Sequence, residues 1–187
     1  MENIFEVFPV VTSERLILRA MKSDDAESIY QILSDPEVIR YDTFDLFTSI
    51  DQAKTLIDYF QQAYNKKKAI FWGISMRSDS KIIGFCKCEI ECPGVRVDLG
   101  YDLNSAYWNR GIMTEALEVL IDFIWSDIKV NRIEAAVSTN NKSSIRVLEK
   151  VGFQCEGILR ERSFFKGKYH DMMMLSLLKK DCIENVL

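Results

Sequence analysis

The sequence predicts an α/β fold of the α+β kind, with a mixed, mostly antiparallel central sheet of about seven strands flanked by helices. Two observations carry that reading. Strand-like runs follow one another in series between residues 69 and 103, parted by turn signals. A helix after Gly111 then leads to a further strand at 133–137, and such a strand–helix–strand crossover implies a mixed sheet covered by helices.

Residues 15–21 read as the first strand, with Leu16 and Leu18 on one face. Ser23 is expected to cap a helix running to about Leu33, ended by Asp35-Pro36, since the residue before proline leaves the α region. A second helix over 49–64 carries Ile50, Ala53, Leu56, Ile57 and Phe60 as its apolar stripe. Strands follow at 69–76, 81–91 and 95–103, separated by Ser78-Asp79-Ser80 and Pro93-Gly94. After Gly111 the apolar residues Met113, Ala116, Leu117, Leu120, Ile121 and Ile124 recur at helical spacing. The strand at 133–137 precedes a helix bounded by Asn141 and Gly152, residue types suited to the two ends, with Ile145, Leu148 and Val151 buried. A hairpin ends the series, with strands at 154–163 and 171–178 and a Phe165-Lys166-Gly167-Lys168 turn.

At 187 residues the chain can bury a sizeable core without disulfides or metals, and it reads as one domain over 1–187. A hydrophobic content of 48% with 28% charged residues is that of an ordinary globule. The net charge of -4 argues against generic nucleic-acid binding and mildly favours a cationic or amine-bearing substrate. The first residues, Met1 to Glu6, are acidic rather than basic, and no apolar run approaches membrane-spanning length, so a cytoplasmic protein is expected. Five cysteines fit a reducing compartment. Cys86 and Cys88 would share one face of a strand while His170 is remote, so the Cys86-Lys87-Cys88…Cys92 run is read as structural and no metal is expected. One histidine also weakens any Ser-His or Cys-His nucleophile scheme.

Chemistry enters at Asn109-Arg110-Gly111. An apolar strand runs into this loop and an amphipathic helix starts at once, so unpaired N–H groups and the positive end of the helix dipole lie directly behind it. Gly111 admits close backbone approach and Arg110 adds a fixed charge suited to phosphate. The combination suits a pyrophosphate-bearing cofactor held mainly by backbone, although it is neither G-x-G-x-x-G nor a Walker loop. A second polar run, Ser138-Thr139-Asn140-Asn141, sits at the carboxyl end of a strand, where open α/β sheets tend to bind ligands.

Taken together these segments resemble the cofactor-binding core of the GNAT acyltransferases, in particular the ribosomal-protein N-acetyltransferase (Rim-type) branch. Three further pieces match that branch in order: Thr12-Ser13-Glu14-Arg15-Leu16-Ile17-Leu18-Arg19, Asp35-Pro36-Glu37-Val38-Ile39-Arg40-Tyr41 and Gly157-Ile158-Leu159-Arg160. The likeness spans roughly residues 12–180. It implies an acetyl-CoA-dependent N-acetyltransferase acting directly on a primary amine, a protein N-terminal amine among the candidates. A small amine such as a polyamine or aminoglycoside is the alternative acceptor, and a catalytically silent acyl-CoA-binding module is the rival class. The partners implied are acetyl-CoA and the amine, with no direct nucleic acid and no membrane; a homodimer stays open.

The resemblance also distributes roles. The thioester would lie along the strand at 95–103, with the backbone N–H of Leu103 polarising its carbonyl. The pyrophosphate would sit over Asn109, Arg110, Gly111, Ile112, Met113 and Thr114. Asn141 matches a contact to the pantetheine arm, and Ser144 sits where a hydroxyl can reach the departing sulfur. Asp98 matches a carboxylate position in the branch and is the candidate base, sharing a strand face with Gly100 and Asp102; Glu115 is a weaker rival. Tyr41, Phe71 and Trp72 are candidate walls of the acceptor pocket. Two positions depart from the family pattern. Met113 replaces a small residue after the central glycine, and Leu148 stands where many members carry a tyrosine general acid.

Overall fold

The computed structural model describes residues 2–184. Its strands are β1 (Val11–Thr12), β2 (Leu16–Ala20), β3 (Ala69–Met76), β4 (Asp79–Cys92), β5 (Arg96–Leu103), β6 (Arg132–Ser138), β7 (Gln154–Phe165) and β8 (Lys168–Leu178). Its main helices are α1 (Ala26–Leu33), α2 (Ile50–Asn65), α3 (Ile112–Phe123), α4 (Lys142–Lys150) and α5 (Lys179–Glu184). The strands form one eight-stranded sheet in the order β1-β2-β3-β4-β5-β6-β8-β7. Among the described residues, β5 with β6 is the one parallel pair. The expected architecture is therefore the observed one, with β1 as the additional strand; two residues are too few to carry an alternation signal.

The sheet separates two cores. On one face Leu18, Trp72, Cys86 and Leu99 pack with Leu117 and Leu120 of α3 and Leu148 of α4. On the other, Ile29 and Ile32 of α1 and Ile57 and Phe60 of α2 pack over Phe71 and Phe85. Each fully buried Leu or Ile contributes about 1.5–3 kcal/mol relative to exposure, so the helical stripes drive docking on both faces.

Several boundaries differ from expectation; β4 starts at Asp79, so Asp79 and Ser80 of the expected Ser78-Asp79-Ser80 turn are strand. Ser23 is not the cap before α1; it opens a 3₁₀ turn over Ser23–Asp25, and Asp25 does the anchoring. The Asp25 carboxylate accepts the Lys22 N–H at 2.8 Å and a two-pronged pair from Arg19 at 2.8 Å each. Burial alone would raise its pKa, but the Arg19 hydrogen bonds and charge hold it below its ordinary value. At α2 the Gln52 side chain accepts the N–H groups of Thr48 and Ser49 at 2.7 and 3.1 Å, which fixes the start. The closing hairpin is longer than expected. Its turn is Lys166-Gly167, both with positive φ (49° and 75°).

Cys86 and Cys88 are buried, and burial pushes both thiols up in pKa; Cys92 and Cys155 are exposed. Among the described residues no group of three or more His, Cys, Asp or Glu could hold a metal, and no helix is long and apolar enough to cross a membrane.

Candidate active site

The sheet opens where the site begins. β5 and β6 pair only from Arg96↔Arg132 to Asp98↔Glu134, although β5 runs on to Leu103 and β6 to Ser138. Beyond Asp98 they part like a fork. Which backbone groups face the gap follows from the β4–β5 ladder. Asn104 donates its N–H to the Ile83 carbonyl at 2.8 Å, and Gly84 stands opposite Leu103. Bonding in an antiparallel pair alternates, so Asp98, Gly100 and Asp102 bond toward β4. Leu99, Tyr101 and Leu103 then turn their N–H groups toward the fork. The Leu103 carbonyl accepts the Trp108 indole N–H at 2.8 Å, which pins the strand end beside that donor.

The helix after the fork begins in strained backbone. Asn109 and Gly111 have φ of 59° and 72°, a double left-handed step that turns the chain into α3. The Glu115 N–H is taken by the Gly111 carbonyl at 3.0 Å, which leaves the N–H groups of Ile112, Met113 and Thr114 ahead of the first helical bond. Arg110 is exposed, its guanidinium 5.5 Å from the Tyr107 ring centroid. Arg15 is a second cation at this loop, donating to the Arg110 carbonyl at 3.2 Å. Met113 is buried with its sulfur toward Cys86, so its bulk lies in the core and not over the loop.

Glu115 cannot serve as a free base here. It accepts from the Ser13 hydroxyl at 2.6 Å, the Arg15 N–H at 2.9 Å and the Arg15 guanidinium at 2.6 Å. Burial would raise its pKa, but these bonds and the Arg15 charge hold it below the ordinary value. Its part is to tie the start of β2 to the first turn of α3.

Asn141 caps α4, its side-chain oxygen accepting the Ser144 N–H at 3.1 Å. The Ser144 hydroxyl is therefore free of capping duty. It lies 2.8 Å from the Tyr101 hydroxyl, which also donates to the Ser144 carbonyl at 3.1 Å. Burial raises the pKa of Tyr101, so the phenol stays protonated. Leu148 lies in the core with no exposure. A tyrosine is present at this end of α4 after all, but it comes from β5.

On the opposite face of β5 lies a cavity of about 600 Å³. Its charged lining is Asp42, Asp102, Lys87 and Glu89, and aromatic rings including Tyr41, Phe71 and Phe85 supply much of the rest. Asp102 has its pKa raised well above the ordinary carboxylate value, by burial first and then by the charge and hydrogen bond of Asp42. Asn141 and Ser144 reach the same cavity through the fork.

Two expected residues fall elsewhere. Trp72 has no exposure and points to the other face, donating to the Pro9 carbonyl at 2.8 Å, because it neighbours Phe71 on a strand whose side chains alternate. Asp98 shares the cavity face but sits where the fork is still closed, opposite Glu89 and beside Glu134. Five residues of strand put it about 16 Å from Leu103. Burial raises its pKa and the Lys87 charge opposes that. Asp102, by contrast, is the residue next to Leu103. Strand alternation puts Asp102 on the same face as Asp98, but the opening of the fork beside it depends on where the β5–β6 pairing stops.

The chain matches the acetyltransferase (GNAT) domain over residues 15–154. It is 36% identical over 170 residues to the uncharacterized N-acetyltransferase p20 of Bacillus licheniformis, with 90% of this chain and 96% of that protein covered. It is 34% identical over 174 residues to the uncharacterized N-acetyltransferase YoaA of Bacillus subtilis (strain 168), covering 92% and 98%. Among solved structures, Mycobacterium smegmatis RimJ in complex with CoA-disulfide shares the fold, with a TM-score of 0.78 at 20% identity over 89% of this chain and 83% of that one. The chain belongs to the GNAT acetyltransferase family and is an N-acetyltransferase.

Proposed function

We propose that this enzyme moves the acetyl group of acetyl-CoA directly to a primary amine. The observation that carries the reading is the fork, with the Leu103 N–H turned into it and the first turn of α3 just beyond. The chain's own groups fit such a donor. The N–H groups of Ile112, Met113 and Thr114, with Arg110, suit a pyrophosphate, and Asn141 and Ser144 stand along the path of an extended arm. When bound, the donor supplies an activated acyl carbon.

The residues then divide the work. The Leu103 N–H donates to the oxygen on which charge develops, a contribution of about 3 kcal/mol for one such donor. The amine attacks as a neutral group from the cavity face; its nitrogen bonds to the acyl carbon as the carbon–sulfur bond breaks. Asp102 is the group placed to accept the amine proton, with Asp98 too far along the strand for direct contact. The Tyr101–Ser144 hydroxyl pair, on the opposite face, is placed to give a proton to the departing sulfur, which as a thiolate needs little help. A protein N-terminal amine and a small free amine both satisfy this chemistry.

Release of free CoA thiol from acetyl-CoA, measured across peptides and small amines, tests the reading. Amine-dependent release is expected. Tight acetyl-CoA binding with no release for any amine would instead make the chain a silent binding module.

A further inference from the structure

We infer that the acceptor is a primary monoamine carried on an aromatic or bulky apolar body. This rests on the reading of the same cavity as the place where the amine attacks. Two features of the lining select the acceptor, one through shape and one through charge.

The apolar wall starts beside the carboxylate. Phe85 is the register partner of Asp102 across β4 and β5, so its ring leaves the same face about 5 Å away. From Phe85 the wall continues through Phe60 at 5.7 Å between ring centroids, and Phe71 stacks on Phe60 at 4.0 Å with planes 13° apart. Tyr59 meets Phe71 edge-on at 6.1 Å and is itself 55% exposed, which carries the wall to the cavity mouth. Gly100, between Asp98 and Asp102 on that face, adds no side chain of its own, and the aliphatic stem of Lys87 lies beside it, 3.5 Å from where a Cβ would stand. An amine nitrogen held at Asp102 thus has its substituent laid along rings.

The charges along the lining are few. Glu89 is paired with Lys87 at 2.9 Å. Asp42 and Asp102 both line the cavity, and burial with the Asp42 charge beside it pushes the Asp102 carboxyl well above its ordinary range. With Glu89 taken by Lys87, this aspartate pair is, among the described residues, the one acidic spot in the lining without a cationic partner, a compact one that suits a single ammonium group. A polyamine or aminoglycoside would bring several cations to this one acidic spot, and each cation beyond the first would be desolvated with no further unpaired carboxylate in the lining to meet it.

Thiol release at saturating acetyl-CoA decides among acceptors. The amines compared are 2-phenylethylamine, ethylamine, spermidine and kanamycin, with two tetrapeptides that differ only in an N-terminal Phe or Ser. We expect kcat/KM for 2-phenylethylamine to exceed those for ethylamine and spermidine by at least about tenfold, since lost apolar contact costs that much discrimination. The Phe peptide should exceed the Ser peptide likewise, and the ratio of 2-phenylethylamine to the Phe peptide tells a free amine from a chain end. Tyr59→Ala, at an exposed position, should narrow the preference several-fold. Spermidine, kanamycin or the Ser peptide as the best acceptor would overturn the inference while leaving acetyl transfer intact. Silence with every amine would overturn the proposed transfer itself, and this inference with it.

Discussion

Tyr101 and Asp102 are neighbours on β5, so their side chains leave opposite faces of the sheet. That separation suits a reaction in which one proton is collected and another delivered. Asp102→Asn should lower kcat by about 10²–10⁴, the span usual for loss of a positioned base. The sign of its pH dependence follows from the environment. A base acts ionised, and burial together with Asp42 raises the Asp102 pKa, so activity should climb with pH through that raised value. The acid limb of kcat/KM should therefore lie above the ordinary carboxylate range near about 3.9, and vanish in Asp102→Asn. Asp98→Asn should leave the limb in place. A limb that survives in Asp102→Asn and disappears in Asp98→Asn would return the role to Asp98, acting through water. On the other face, Ser144→Ala and Tyr101→Phe should each lower kcat several-fold with little change in melting temperature, since Asn141 and not Ser144 supplies the cap of α4. A melting-temperature loss without a rate loss would make the hydroxyl pair structural.

At the scale of elements, what the sequence disclosed was what is encoded locally. Glycine before an apolar periodicity announced α3, and Gly111 does sit at a positive φ of 72° at its start. Asn141 before α4 and the Lys166-Gly167 turn were legible for the same reason. The fork was not, because it depends on where the β5–β6 pairing stops, and the fork gives Asp102 and Tyr101 their surroundings. Glu115 looked like a spare carboxylate until Ser13 and Arg15, a hundred residues away, were seen to occupy it. Trp72 was misplaced by one step of strand alternation, the smallest error a strand permits and enough to change its face. The α3 terminus carries its own prediction. Arg110→Ala with Gly111→Val removes the guanidinium and forces a branched side chain into left-handed backbone, so acetyl-CoA affinity should fall by at least about tenfold. Calorimetric titration on the folded double variant measures it, and unchanged affinity would remove the pyrophosphate from this loop.

Across the whole molecule, the cavity proposed for the acceptor is bounded by segments remote in sequence. Tyr41 and Asp42 come from the stretch after α1, while Phe165 comes from the tip of the β7–β8 hairpin. Lys166 joins them. Its ammonium donates to the carbonyl of Asp42 at 3.2 Å and to that of Ile39, so the hairpin tip holds the segment that carries one of the two cavity aspartates. The bond to Asp42 is exposed and that to Ile39 part-buried, and such charge-assisted bonds position the segment more than they bury it. Lys166→Met keeps the length of the chain and removes the donor. The Val38–Tyr41 turn should then sit less firmly over the cavity, and KM for the amine should rise about fivefold or more, equivalent to roughly 1 kcal/mol for a lost hydrogen bond. Acetyl-CoA affinity should not move, because the hydrogen bonds of Lys166 go to Ile39 and Asp42 and not to the fork at Leu103 or the first turn of α3. Lys166→Arg, which restores a cationic donor, should recover part of the loss. Steady-state kinetics with the amine varied, beside titration with acetyl-CoA, separates the two effects. A shift in donor affinity equal to the shift in KM would mean that the tip supports the fold as a whole, whereas a change confined to the amine makes Lys166 a positioning residue for the acceptor.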